Sequence, residues 1–130
     1  MILLDTHALL WWISNPNKLG AAAKKQVQVH SESNELVISS ISIWEISLLE
    51  QKNRIALEGG AEQWFRKVTS LPEIIIQPLD FAIARLSATL PYPYGDPADR
   101  FILATAQSLA IPLITKDKRL HRYTPVETIW

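Results

Sequence analysis

The 130 residues include no cysteine. This excludes a disulfide scaffold, a thiolate metal site and a cysteine nucleophile. It also fits a reducing compartment, so a cytoplasmic location is expected. Histidine is scarce: none of His7, His30 and His121 has a partner at ligand spacing, and His30 and His121 read as surface residues. Net charge is missing too, because 13 basic and 13 acidic residues cancel. Whole-molecule attraction to nucleic acid is therefore absent. Any such binding must use a local basic patch or a metal that offsets local acid. No apolar run reaches membrane-spanning length. No secretory leader is visible, because Ile2-Leu3-Leu4 meets Asp5 at once. No repeat, low-complexity tract or linker divides the chain, so one domain over residues 1–130 is expected.

What is present centres on Asp96-Pro97-Ala98-Asp99-Arg100, which runs into the apolar stretch Phe101 to Ala106. Asp96 suits a helix N-cap, and Pro97 suits the first helical position, where its missing N–H costs nothing. The apolar run predicts a helix buried against a sheet and ending near Ala110, before Pro112. Asp99 then sits in the first turn, beside the core. An acid there helps the helix dipole, but so close to the core it also needs a donor, a cation or a metal.

Met1 to Leu4 reads as a buried parallel strand ending in Asp5. Thr6 is placed as the cap of a helix from His7 to Ser14, closed by the turn Asn15-Pro16-Asn17. Leu19 to Ser31 reads as a second helix and Leu36-Val37-Ile38 as a second strand. A strong helix follows from Ile41 to about Asn53, with Ile41, Trp44, Leu48 and Leu49 as its apolar face and Glu45 on that same face. Ser42 and Glu45 also match a capping box, although the helix is expected to start earlier, near Ser39 or Ser40. Gly59-Gly60 opens a helix from Ala61 to Ser70, with Trp64, Phe65 and Val68 inward. Ile74-Ile75-Ile76 is the third strand, and Asp80 caps a helix from Phe81 to Leu90. Leu113-Ile114-Thr115 is the fourth strand, followed directly by Asp117. Val126 to Trp130 supplies a last edge strand. Lys116, Lys118, Arg119, His121 and Arg122 form the densest basic cluster, which is either a solvated face or a nucleic-acid contact beside Asp117.

Strands alternating with helices argue a parallel sheet covered on both faces. Right-handed crossovers bring the strand carboxyl ends to one edge, where open α/β sheets bind ligands. Asp5 and Asp117 belong there, and Glu45 and Asp99 can reach it from early helical turns. Each acid alone has a bland explanation as a cap or turn former; four converging on one edge is harder to explain blandly. Clustered carboxylates without cysteine or paired histidine point to a hard cation, Mg²⁺ or Mn²⁺. Carboxylates around such ions are one solution to phosphodiester hydrolysis.

The sequence resembles the PIN-domain ribonucleases, in particular the VapC-like toxins of bacterial type II toxin–antitoxin systems. The resemblance is carried by Leu3-Leu4-Asp5-Thr6-His7-Ala8-Leu9-Leu10-Trp11-Trp12, Ser40-Ile41-Ser42-Ile43-Trp44-Glu45-Ile46, Gly95-Asp96-Pro97-Ala98-Asp99-Arg100 and Leu113-Ile114-Thr115-Lys116-Asp117. Each piece is weak alone; together they span nearly the whole chain in family order. The resemblance implies a three-layer α/β/α fold with a mainly parallel central sheet and Mg²⁺- or Mn²⁺-dependent RNA cleavage. It also implies a homodimer and neutralisation by a cognate antitoxin. It assigns Asp5, Glu45, Asp99 and Asp117 to the acidic site, with Asp5 and Asp99 as direct ligands and Glu45 and Asp117 direct or through water. Thr6, Asp96, Arg100 and Thr115 are supporting positions, Asp96 mainly as a cap and Thr115 as a small hydroxyl near the metal. Lys116, Lys118, Arg119 and Arg122 are the candidate RNA contacts.

Three other readings share the size and fold class. A receiver-like signalling domain would want paired acids after the first strand and an acceptor Asp ending a middle strand, where Ser39-Ser40 stand instead. A haloacid-dehalogenase-like phosphatase would need a second Asp at the position of His7. A catalytically inactive PIN scaffold that only binds RNA or protein would keep the fold without the chemistry.

Overall fold

The first strand, β1 (Ile2–Leu4), is three apolar residues with no exposed surface on either face. Such a strand can only be central, and it pairs in parallel with β2 (Leu36–Ser39) on one side and β4 (Leu113–Ile114) on the other. The computed structural model describes all 130 residues. Its five-stranded sheet has the order β3-β2-β1-β4-β5, every pair parallel, with β3 (Ile74–Gln77) and β5 (Thr128–Ile129) at the edges.

Seven helices connect the strands: α1 (Thr6–Ser14), α2 (Ala21–Glu32), α3 (Ser40–Gln51), α4 (Gly60–Thr69), α5 (Phe81–Thr89), α6 (Pro97–Leu109) and the short α7 (Lys118–His121). Period-two alternation divides the strand side chains between two cores. Ile2 and Leu4 face Ala8, Leu9, Ala23, Val27 and Trp64, from α1, α2 and α4. Leu3 and Leu113 face Ile83, Ile102 and Leu103, from α5 and α6. This is the expected three-layer α/β/α arrangement. No helix is long and apolar enough to cross a membrane.

Local signals set most boundaries. Asp80 caps α5 by accepting the Ile83 N–H at 2.9 Å, and Asp96 caps α6 by accepting from Ala98 and Asp99. Ser39 caps α3 by accepting the Ile41 N–H, which confirms the early start. The capping-box alternative fails, since the Ser42 and Glu45 side chains both turn to Thr6.

Several expectations are corrected. Thr6 is not the cap of α1: Asp5 is, accepting the Ala8 N–H at 2.8 Å, and Thr6 is the first helical residue. The second helix starts at Ala21 rather than Leu19, because Pro16–Lys18 forms a single 3₁₀ turn and Gly20 precedes the helix as its cap. A Cβ on Gly20 would lie 2.7 Å from the Trp130 carbonyl carbon and ring, so the chain's end packs onto that glycine. The buried residues of α3 are Ile41, Ser42 and Ile46, while Trp44 points outward and is 50% exposed. The apolar triplet Ile74–Ile76 does form a strand, but at an edge, which leaves Ile75 and Ile76 exposed.

Candidate active site: an acidic cleft where the sheet order reverses

The chain leaves β1 toward β2 on one side and later returns to place β4 on β1's other side. The carboxyl ends of β1 and β4 therefore flank the point where the strand order reverses, the usual ligand crevice of such sheets. Asp5 follows β1 and Asp117 stands three residues beyond Ile114, the last paired residue of β4. A cleft of about 450 Å³ opens here. Five carboxylates line it, from Asp5, Glu45, Asp96, Asp99 and Asp117, with the cationic Lys116 and Arg119. The four acids singled out in the sequence thus come from four separate elements into one cavity.

One side of the cleft is built by α1 and α3. The Thr6 hydroxyl donates to Glu45 Oε1 and lies 2.9 Å from the Ser42 hydroxyl. Thr6 and Ser42 are both buried, so each hydroxyl needs a partner, and Glu45 is fixed in return. Burial pushes the Asp5 carboxyl up from its ordinary range. The Thr115 hydroxyl, the Ala8 N–H and His7 oppose this, and the nearby Glu45 charge adds to it.

The other side is built by α6, α7 and the loop before α6. The Tyr92 hydroxyl donates to Asp99 Oδ2 at 3.2 Å. Burial, then the charges of Asp96 and Asp117, push Asp99 up to about 6; Tyr92 and Arg119 pull the other way. Burial, then the Asp99 charge, likewise raises Tyr92, so it stays a protonated donor. Burial also pushes Asp117 up, but hydrogen bonds and charge from Arg119 outweigh it, and the net shift is downward. Thr115 is buried and accepts the Asp117 N–H at 3.1 Å, which ties the end of β4 to that acid.

Arg100 neither lines the cleft nor pairs with a carboxylate. It donates to the backbone carbonyls of Ser87, Leu90 and Tyr92 at 2.8, 2.8 and 2.7 Å. A guanidinium at the carbonyl end of α5 satisfies orphan acceptors there and steadies the loop that carries Tyr92. Of the basic cluster, Lys116 lies over the Trp11 ring at the cleft wall, 5.7 Å from its centroid, and Arg119 enters the cleft itself. Arg122 is exposed and reaches the Tyr94 hydroxyl at 3.3 Å; Lys118 is exposed on α7.

Comparison with known proteins agrees with this architecture. The family model described as the PIN domain matches residues 2–124. The chain belongs to the PIN domain family. It is 34% identical over 133 residues to Ribonuclease VapC22 of Mycobacterium tuberculosis, covering 99% of this chain and 98% of that protein. Among solved structures, a toxin–antitoxin complex from Klebsiella pneumoniae matches with 27% identity and a TM-score of 0.61, covering 98% of this chain and 99% of that one. VapBC2 from Rickettsia felis, bound to a promoter DNA fragment, matches with a TM-score of 0.72 at 15% identity, covering 98% and 97%, and so supports the fold alone.

The cleft of this PIN domain suits a hard cation in kind. Its acidic donors are all oxygen, and burial opposes the ionisation of both Asp5 and Asp99. In spacing the cleft is open: no three of its His, Asp or Glu side chains stand close enough to share one ion. Tyr92 and Ser42 contribute to this site without having been singled out. Tyr92 lies in the loop Pro91 to Gly95 that delivers the chain to α6, and Ser42 is masked by its match to a capping box.

Proposed function

We propose that this chain is the toxin of a toxin–antitoxin pair, an endoribonuclease that hydrolyses RNA phosphodiester bonds with Mg²⁺ or Mn²⁺. The observation that carries this reading is the convergence of Asp5, Glu45, Asp99 and Asp117 on one cleft, with Lys116 and Arg119 at its wall. The likeness to a named ribonuclease along nearly the full chain supports the activity. The toxin–antitoxin complexes among its structural neighbours support an antitoxin partner.

Asp5 and Asp99 would hold the cation directly, and Glu45 and Asp117 would hold it directly or through water. When bound, the cation activates water and offsets charge on the phosphate oxygens. Thr6 and Ser42 keep Glu45 turned into the cleft, and Tyr92 does the same for Asp99. Lys116 and Arg119, with Lys118 and Arg122 farther out, take the RNA backbone and make the binding salt-dependent. A receiver-like domain is disfavoured because β2 ends in Ser39, not an acceptor Asp. Exposed Trp44, Ile75, Ile76 and Phe81 offer apolar surface for a second copy of the chain.

The test is incubation of purified protein with RNA and Mn²⁺, with a chelator control. Cleavage that needs the metal is expected. Intact RNA under both conditions would leave only the scaffold reading.

A further inference from the structure

Arg119 stands where two of the assigned carboxylates would share a cation. Its Nη2 lies 3.3 Å from Asp117 Oδ2 and 3.9 Å from Asp99 Oδ2. Its guanidinium carbon lies 5.3 Å from the centroid of the Tyr94 ring, and its own backbone N–H is bound by Asp117 Oδ1 at 2.8 Å. The side chain is 48% exposed, whereas Asp99 is only 16% exposed. The other two ion pairs in the chain, Met1 with Glu35 and Arg66 with Glu62, are remote from the cleft.

A Mg²⁺ ion takes its oxygens at about 2.0–2.1 Å in near-octahedral order. A guanidinium beside the same two carboxylates offsets their charge and repels the ion. Arg119 also has what a phosphate ligand needs: a planar donor fork that stays charged and stacks on an aromatic face. We propose that Arg119 is the resident counter-cation of Asp99 and Asp117 in the metal-free protein, and that, where a divalent cation takes over those two carboxylates, Arg119 keeps its place on the Tyr94 face and turns its freed donors to the substrate phosphate. The proposal rests on the metal-dependent nuclease reading of the cleft. It adds that one side chain trades metal affinity against RNA binding, so removing its charge moves the two in opposite directions.

The experiment titrates Mn²⁺ into metal-free protein by calorimetry, without RNA, and then measures KM for RNA at saturating Mn²⁺. Wild type, Arg119→Gln and Arg119→Lys are compared. Arg119→Gln is expected to bind Mn²⁺ about tenfold more tightly, the order expected for removing one nearby charge in a partly exposed site. Its KM should rise several-fold. Arg119→Lys keeps the charge and should bind Mn²⁺ like wild type while still losing part of its RNA affinity, because it lacks the fork. Equal or weaker Mn²⁺ binding by Arg119→Gln, with wild type binding Mn²⁺ and cleaving RNA, would overturn the proposal and leave the nuclease reading standing. No Mn²⁺ binding and no cleavage by any of the three proteins would overturn both.

Discussion

Replacing Asp99 by Asn removes one charge from the cleft while keeping the side chain's shape and its acceptor for Tyr92. Asp99 has its pKa raised from 3.8 to about 6. At full weight that rise corresponds to about 3 kcal/mol of unfavourable ionisation above pH 6. The cleft is open to solvent, so screening reduces this to about 1–1.5 kcal/mol. Losing an acid in the first turn of α6 costs back about 0.5 kcal/mol. The metal-free variant should therefore be more stable than wild type at pH 7.5 by about 0.5–1 kcal/mol, or roughly 2–4 °C in Tm. Because the folded pKa is the higher one, wild type is favoured below the unfolded value and loses that benefit as pH rises through about 6. The variant's advantage should thus be full above pH 6, shrink as pH falls below it and vanish below about pH 4. Metal reverses the order. A cation at about ten times its dissociation constant stabilises wild type by roughly 1.4 kcal/mol, and the variant should lose most of that gain. The assay is a set of melting curves for both proteins, with chelator and with Mn²⁺, at pH 7.5 and 5. A variant that melts lower than wild type with chelator at pH 7.5, together with equal metal shifts for both proteins, would refute the reasoning and return Asp99 to a purely structural role.

Thr6→Val removes the donor that turns Glu45 into the cleft and leaves the buried Ser42 hydroxyl without its partner; RNA cleavage should fall about 10–100-fold, read as initial rate at saturating Mn²⁺. Arg100→Met removes three hydrogen bonds to backbone carbonyls, of which only that of Leu90 keeps another donor, the Tyr92 N–H, and should destabilise the fold by about 2 kcal/mol in urea denaturation, an outcome a solvent-exposed RNA contact would not give. Changing Lys118 and Arg122 to Gln should flatten the salt dependence of RNA binding by a slope of about 1.4, at roughly 0.7 per lost single-strand phosphate contact, whereas an unchanged slope would make the two a solvated face.

The parts of this protein legible in its sequence are those set by local rules. Ile2-Leu3-Leu4 announces a central strand because nothing polar interrupts it, and Asp80 and Asp96 announce helix starts because a cap acts within three residues. The gathering of Asp5, Glu45, Asp99 and Asp117 in one cleft follows from the handedness of parallel crossovers, a global rule that needs only the order of elements. What was not legible depends on contacts between distant segments. Thr6 and Ser42 are 36 residues apart, and nothing local says that their hydroxyls meet. Thr6 instead reads as a cap, a role that Asp5 takes because its carboxylate already reaches the Ala8 N–H. Arg100 adjoins an acid in sequence, yet its side chain runs to carbonyls 8 to 13 residues earlier, which only the packing of α5 beside α6 provides. Trp44 looks like a core residue by type, but the core side of α3 falls on Ser42 and Ile46, and the helix turns its tryptophan to solvent. The spacing of the carboxylates is likewise a matter of side-chain geometry: their types suit one ion, and their distances with Arg119 in place do not yet enclose it.

The central claim is that the carboxylates of the cleft work as one metal-dependent unit in RNA hydrolysis. Single-turnover cleavage of a labelled RNA in Mn²⁺ tests it with wild type, Asp5→Asn, Asp99→Asn and the double variant. Each single change should slow cleavage by at least about a hundredfold. The double variant should be about as slow as the slower single, because parts of one catalytic unit are not additive. Wild-type rates from either folded single variant would contradict the claim.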